Sequence, residues 1–464
     1  MSRYGDSGRN TMRMSMKAAG ALLLAGFFLT GCGGQSVIPL KDVQESAADM
    51  EAVQETVPET DAAVMSEETM LPEAEIPDAP DAPDGTELAA GIAALADSDV
   101  LRQSDIADMI TPENLDTLPE ETRIKLAEAL TGCDSLTAYR TAFHRITGYT
   151  FHAWRDMLGG VSAGNYQPTA YTDGKASLVF TGDVCVGDEW YNMQAYHRMG
   201  SDIKNNITEE VRGWLSAADV ALMNCECTIS DRGEPTPGKL YTFRGKPENA
   251  EIFVQLGVDI VSLANNHAHD YGRDAFLDTM TALENAGVVH VGAGETLAEA
   301  MQYRSFVADG MKIAYVSASN AEKYRLTPGA TETSPGILLM YEEENVLTAI
   351  DRAAREADVV VAYVHWGTEN SDKVNADQQK KRDLFIEHGA DVIVGAHPHV
   401  LQPWETVNGV PVVYSLGNFW FNMETVDTAL ADIQVSLTET GVAADCALYA
   451  CVQSGGVTGF AHEK

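Results

Sequence analysis

From Ala176 onward, short apolar runs alternate with segments patterned as amphipathic helices, and five of the runs end on a carboxylate, an amide or an imidazole. No other feature constrains the fold as tightly. The alternation reads as α/β. Strands are expected at 177–181, 220–225, 260–263, 288–291, 312–317, 359–365, 392–394 and 410–415. Two further runs, 432–437 and 446–453, read as antiparallel strands that close a sheet edge. No repeat of 20 to 50 residues interrupts this texture.

The polar ends come in order. The first run stops at Thr181-Gly182-Asp183 and the second at Asn224-Cys225-Glu226. The third stops at Asn265-Asn266-His267, with Asp270 three residues on. Later runs stop at His365-Trp366-Gly367 and at Gly395-Ala396-His397-Pro398-His399. Ligands of open α/β sheets bind at the carboxyl ends of strands. If these strands lie side by side in one sheet, Asp183, Glu226, Asn266, His365, His397 and His399 converge on one rim. A mixture of carboxylate, amide and imidazole suits Mn, Fe or Zn, as one ion or as a bridged pair. His267 stands beside that set with Asp270 placed to orient its ring, as a general acid requires. Each piece alone also reads as a turn, a helix cap or a satisfied polar network.

The chain carries 31 basic and 69 acidic residues, a net charge of −38 at pH 7. Nucleic-acid binding needs a basic footprint, so it is excluded as a function. About two dozen of the acids fall between Asp42 and Glu121, almost without basic partners. Residues 1–31 read as a targeting segment. Arg3, Arg9, Arg13 and Lys17 precede an apolar run, 18–29, that is too short for a stable span. The run closes on Leu29-Thr30-Gly31-Cys32, which resembles the bacterial lipobox. That resemblance implies cleavage before Cys32 and a diacylglycerol on its thiol, holding the protein to the outer face of the cytoplasmic membrane. An ordinary secretory signal and an uncleaved anchor are the alternative readings. Residues 32–86, rich in Glu, Asp, Ala and Pro and free of aromatics, read as a disordered acidic linker. Residues 87–165 read as a helical accessory segment, with His144 and His152 structural or exposed, and 176–464 as the α/β domain. Cys133, Cys185, Cys225, Cys227, Cys446 and Cys451 show no zinc-finger spacing and read as buried free thiols.

The blocks Asp183-Val-Cys-Val-Gly187, Asn224-Cys-Glu226, Leu263-Ala-Asn-Asn-His-Ala-His-Asp-Tyr-Gly272, His365-Trp-Gly-Thr-Glu369, Gly395-Ala-His-Pro-His399 and Tyr414-Ser-Leu-Gly-Asn-Phe419 stand in one order. In that order they resemble the bacterial capsule-synthesis CapA family, which includes the membrane-attached component of poly-γ-glutamate synthesis. The resemblance implies a calcineurin-like metallophosphoesterase-type αββα sandwich. It also implies roles: Asp183 and His399 on one metal, Glu226 bridging, Asn266, His365 and His397 on the second, and His267 as proton donor. Two positions depart from the phosphoesterase pattern. Cys185 stands where a histidine is usual, and Glu226 where an aspartate is usual. Cys185 would then ligate as a thiolate, or the first metal site would be weak or empty. Three readings follow. The protein is a lipid-anchored accessory of an anionic polymer such as poly-γ-glutamate, partnered by the membrane and by membrane capsule-synthase subunits, with Arg244, Lys246 and Arg273 as carboxylate contacts. Or it is a metal-dependent hydrolase of envelope phosphoesters or amides. Or it is an inactive scaffold of the same fold.

Overall fold

The computed structural model describes residues 112–132, 136–160, 164–320, 326–438 and 440–461. The targeting segment, Cys32, the acidic linker and Cys133 lie outside the described residues. The main strands, in chain order, are β1 (Ala176–Val184), β2 (Val220–Cys225), β3 (Ile260–Ser262), β4 (Val289–Val291), β5 (Arg304–Ala308), β6 (Met311–Ser319) and β7 (Val359–His365). They continue with β8 (Val392–Ala396), β9 (Trp404–Val407), β10 (Val410–Val413), β11 (Asn418–Trp420), β12 (Val426–Thr438), β13 (Gly441–Ser454) and β14 (Val457–Phe460).

They form two sheets. The first runs β14-β13-β12-β1-β2-β3-β4, with β11 also paired to β1, and the second runs β9-β10-β8-β7-β6-β5. The core of each is parallel: β1 to β4 in the first sheet, and β6, β7, β8 and β10 in the second. The expected hairpin is longer than its apolar runs. β12 and β13 pair antiparallel from Val426–Gln453 to Thr438–Gly441 and join β1 on its open side. The five polar strand ends lie on two facing sheets, as the αββα sandwich implied by the resemblance requires, rather than side by side in one sheet, the condition under which the strand pattern alone brings them to one rim. Pairing partners are set by long-range packing, which the local pattern does not encode.

Side-chain parity explains the layers. On β1, Leu178 and Phe180 enter the core between the sheets, while Val179 faces the outer helices. On β7, Val359, Val361 and Tyr363 point inward, and Val360, Ala362 and Val364 outward. Period-2 alternation with both faces apolar is what a strand buried on both sides requires. Helices α4 (Glu209–Ala217) and α5 (Gly272–Ala286) cover the first sheet through Val211, Leu215, Phe276 and Leu283. Helix α6 (Glu343–Glu356) lays Val346, Ala349, Ile350 and Ala353 on the second, beside α7 (Ala376–Glu387). The order helix, sheet, sheet, helix is the expected αββα sandwich. α7 begins with a capping box between Asn375 and Gln378, and α5 ends at Gly287, whose φ of 78° only glycine adopts without strain.

Before the sandwich come α1 (Glu120–Gly132), α2 (Leu136–Thr147) and α3 (Phe151–Leu158). They share a small cluster built on Leu126, Tyr139, Phe143, Phe151 and Trp154. They dock on the second sheet: His144 Nε2 lies 2.9 Å from Asp309 O, and Lys312 Nζ pairs with Asp156 at 2.7 Å. No described helix is long and apolar enough to cross a membrane.

Candidate metal centre

The polar strand ends meet where the two sheets face each other. Gly182 lets β1 reach that point, because a Cβ there would lie 1.9 Å from Gly417 O. The register of β1 against β2 shifts between Phe180 and Asp183, which re-aims Asp183 alongside Asn418 of β11. Asn224 closes β2 and Glu226 follows it; Asn265, Asn266 and His267 follow β3; His365 ends β7. The loop after β8 presents its two imidazoles from left-handed backbone, φ 96° at His397 and 58° at His399. Non-glycine residues hold such angles only where the surroundings fix them. Here the Asp183 carboxylate accepts the His397 N–H, and Pro398 O accepts the Asn370 N–H at 2.8 Å.

Two overlapping groups of ligand atoms result, each with all atoms within 4.8 Å of one another: Asp183, Glu226 and His365, and Glu226, His397 and His399. Glu226 belongs to both. His365 and His397, which the resemblance places on one metal, stand with ring centroids 4.7 Å apart. Asn266 Oδ1 lies 2.8 Å from His365 Nε2. His399 Nδ1 lies 2.8 Å from Asn418 Oδ1 and 3.2 Å from Asp183 Oδ2.

Glu226 Oε1 tests whether these residues fit a metal. It is buried and has no hydrogen-bond partner. Three imidazole nitrogens face it beyond bonding distance: His365 Nε2 and His399 Nε2 at 3.7 Å, and His267 Nε2 at 4.0 Å. A buried carboxylate oxygen without a donor is costly. Ligand atoms around one ion at about 2.1 Å stand roughly 3–4 Å apart, so the spacing is that of a coordination shell. The residues therefore fit a divalent cation.

Electrostatics favour the metal-binding form at His365 and His397 and oppose it at Glu226 and His399. Burial, with Asp183 and Glu369 nearby, pushes the Glu226 carboxyl well up. Burial opposes charge on Asp183, but the hydrogen-bonded His399 ring and Asn224 hold its carboxyl below the usual carboxylate range. His399 is raised by the same pair, against its own burial. Burial and the neighbouring rings push His365 well down and His397 down to about 3. Neutral imidazoles are the form that binds metal.

Beside the cluster, His267 Nδ1 donates to Asp270 Oδ2 at 2.7 Å, which leaves Nε2 aimed at the centre. All eight residues expected at the site are thus assembled. Others went unread. Asn224 Nδ2 donates to Asp183 Oδ1 at 2.8 Å and to Glu226 Oε2 at 3.1 Å, tying two ligands together. Its place in the Asn224-Cys-Glu226 block was the available signal. Lys239 Nζ pairs with Asp270 Oδ1 at 2.7 Å, from a loop whose pattern gives no hint of it. Phe243 packs 4.3 Å from the His267 ring, and Phe421 packs 4.8 Å from that of His399. Cys185 joins neither group. Burial, with Cys227 beside it, pushes its thiol well up, and its side chain packs in the apolar core behind the first sheet. It is free and buried, as are Cys225, Cys227, Cys446 and Cys451. Arg273 faces solvent and pairs with Asp274 at 3.6 Å.

Comparison with known proteins supplies the context. The model of the family described as "Bacterial capsule synthesis protein PGA_cap" matches residues 177–423. The "PGA biosynthesis protein CapA" of Bacillus subtilis (strain 168) is 30% identical over 276 residues, 58% of this chain and 70% of that protein. The "Capsule biosynthesis protein CapA" of Bacillus anthracis is 29% identical over 282 residues, 58% of this chain and 66% of its own length. Among solved structures, a hypothetical protein from Thermus thermophilus aligns with 59% of this chain and 99% of its own, at 15% identity and a TM-score of 0.36, a likeness too loose to argue from. The family match spans more than half of the 464 residues and contains every strand end that meets at the centre, so the chain belongs to the bacterial capsule synthesis protein PGA_cap family.

Proposed function

We propose that this protein works at the outer face of the cytoplasmic membrane, held by a lipid on Cys32, in the synthesis, export or anchoring of an anionic capsule polymer such as poly-γ-glutamate. A divalent cation, Mn, Fe or Zn, would sit among Asp183, Glu226, Asn266, His365, His397 and His399. The observation that carries the metal is Glu226 Oε1, buried without a donor and ringed by three imidazole nitrogens at 3.7–4.0 Å. The two Bacillus relatives carry capsule and PGA biosynthesis in their names, which supports the polymer. The lipobox-like Leu29-Thr30-Gly31-Cys32 supports the anchor.

A second reading, hydrolysis of a phosphoester or amide bond, is favoured by one feature of its own. His267 is oriented by Asp270, which also pairs with Lys239 at 2.7 Å. A bound divalent ion would supply Lewis-acid polarisation of an oxyanion. His267 Nε2 would hand a proton to the leaving oxygen or nitrogen, and Asp270 would steady the imidazolium. Asn266 and Asn224 would keep the neighbouring rings and carboxylates in register.

The test is elemental analysis of the full chain purified without chelator. Bound Mn, Fe or Zn is expected, with loss of most of it in H397A/H399A; metal-free wild type would sink the reading. On the same preparation, phosphodiester or γ-glutamyl turnover that survives His267→Ala unchanged would remove the proton-donor role. Cys32→Ser should move the protein out of the membrane fraction.

A further inference from the structure

A groove of about 470 Å3 opens beside the metal centre. Trp190, Tyr241, Phe243 and Tyr271 supply its aromatic wall, and Arg244 and Lys246 its cations. Phe243 is shared with the centre. Its ring lies 4.6 Å from Trp190 on one side and 4.3 Å from His267 on the other. The loop that carries Leu240 and Tyr241 is pinned to the same Asp270 that orients His267. Lys239 Nζ reaches Asp270 Oδ1 at 2.7 Å, and the Phe243 N–H donates to Asp270 Oδ2 at 2.6 Å.

Two features mark the groove as built for a ligand. The first is apolar exposure. Leu240 is 85% exposed, Tyr241 56% and Tyr191, next to Trp190, 54%. Leu240 and Tyr241 line the groove, and the Tyr191 ring lies 4.9 Å from that of Trp190; large hydrophobic side chains left in water together are a binding signature, whereas a single one is not. The second is charge. In a chain with 69 acidic and 31 basic residues, a cation without a carboxylate partner is the unusual case. Among the described residues neither Arg244 nor Lys246 forms an ion pair. Arg244 lies 4.3 Å over the Tyr271 ring and spends only Nη1, on the carbonyls of Arg232 and Gly233. Its remaining donors are available to an oxyanion. Asp188 in the same lining is occupied, accepting from the Lys246 N–H and from Asn249 Nδ2. Glu189 and Asp231 are exposed in the lining and carry like charge. A uniform polyanion is therefore disfavoured, and a chain with discrete carboxylates spaced along apolar stems is favoured.

We propose that this groove is the subsite that holds the polymer flanking the bond at the metal centre. Its ligand class is a flexible chain bearing carboxylates, with methylene stems against Trp190 and Tyr241 and carboxylates on Arg244 and Lys246. The inference rests on the proposed handling of an anionic polymer by this protein. The groove gives that reading a direction: the chain enters along the aromatic wall and reaches His267 past Phe243.

The test is calorimetric titration of the full chain with three probes: a γ-linked glutamate octamer, an α-linked glutamate octamer and a polyphosphate of matched length. The γ-linked octamer should bind tightest, since its methylenes lie in the backbone between carboxylates and can run along the aromatic wall. R244Q/K246Q should weaken that binding by about tenfold or more, the loss of one to two charge-assisted hydrogen bonds. K246Q alone, at an exposed side chain, should weaken it by about threefold, and covers the case in which the double variant folds poorly. Unchanged binding in K246Q and R244Q/K246Q, no binding of either glutamate octamer to wild type, or preference for polyphosphate would each overturn the assignment. Metal content on the same samples separates the two proposals: metal-free protein that still binds the octamer sinks the centre alone, and metal-loaded protein insensitive to R244Q/K246Q sinks the groove alone.

Discussion

Asp270 is held from two parts of the chain: the His267 ring donates to it at 2.7 Å, and the loop from Lys239 to Phe243 supplies the Phe243 N–H at 2.6 Å and an ion pair with Lys239 at 2.7 Å. The lysine matters most for stability, because its side chain is 4% exposed and that of Asp270 0%. Removing one member of a buried pair strands the other charge, at a cost of about 3–5 kcal/mol. Lys239→Met should therefore destabilise by about 3 kcal/mol in urea melts. The double variant K239M/D270N should recover roughly half of that, since no unpaired charge remains. Additive losses in the two single variants and the double would refute the pairing. His269, next in the chain to Ala268 and two residues from His267, has a different fate. It is stacked 4.2 Å from Phe276, and burial with Lys239 nearby pushes it down to about 4, so it packs as a neutral ring.

At the scale of elements, the centre depends on how closely β1 passes the turn before β11. Gly182→Ala would place a Cβ 1.9 Å from Gly417 O, against backbone that cannot move aside cheaply. The variant should lose about 3 kcal/mol or more, with metal affinity falling in step because Asp183 and Asn418 are displaced together. A variant with wild-type urea midpoint and metal content would contradict this close approach. What was legible from sequence lives at this scale too. Strand ends such as Asn265-Asn266-His267 and His397-Pro398-His399 announced themselves, because a buried apolar run that stops on a ligand-type residue is a local pattern. The division into two sheets was legible only through the family resemblance, not from the strand pattern itself. β5, β9, β11 and β14 were not legible: short or half-polar strands such as Trp404–Val407 acquire their state from a neighbour's hydrogen bonds, not from their own periodicity. Lys239 was hidden for the same reason, since its partner lies 31 residues away and only the folded loop brings them together.

The whole molecule has two chemically distinct ends. At the carboxyl ends of the parallel strands stands the candidate metal centre. At the amino ends stands a row of aspartates, each just before a strand, each accepting an N–H from the neighbouring strand. Asp219 accepts from Ser177, Asp259 from Ala221, Asp358 from Lys312 and Asp391 from Val360, at 2.8–2.9 Å. One device thus locks strand register four times, twice in each sheet. It carries a cost that depends on pH. Burial pushes Asp259 and Asp391 from the ordinary 3.8 up to about 6, and raises Asp219 as well. With a folded value above the unfolded one, the native state binds more protons between about pH 4 and 6. Stability from these groups is therefore present at low pH, is lost as pH rises through that window, and stays level above it. Each site accounts for roughly 2–3 kcal/mol. Asparagine keeps the acceptor oxygen and removes the titration. D259N/D391N, measured by urea midpoint in chelator so that the metal centre cancels, should gain on wild type steadily from pH 4 to about 6.5 and then hold a constant lead. A lead that is flat across this range would mean that the two carboxyls ionise as freely in the folded sandwich as in the open chain, and one that shrinks with rising pH that they ionise more readily there; either result contradicts the cost of burial.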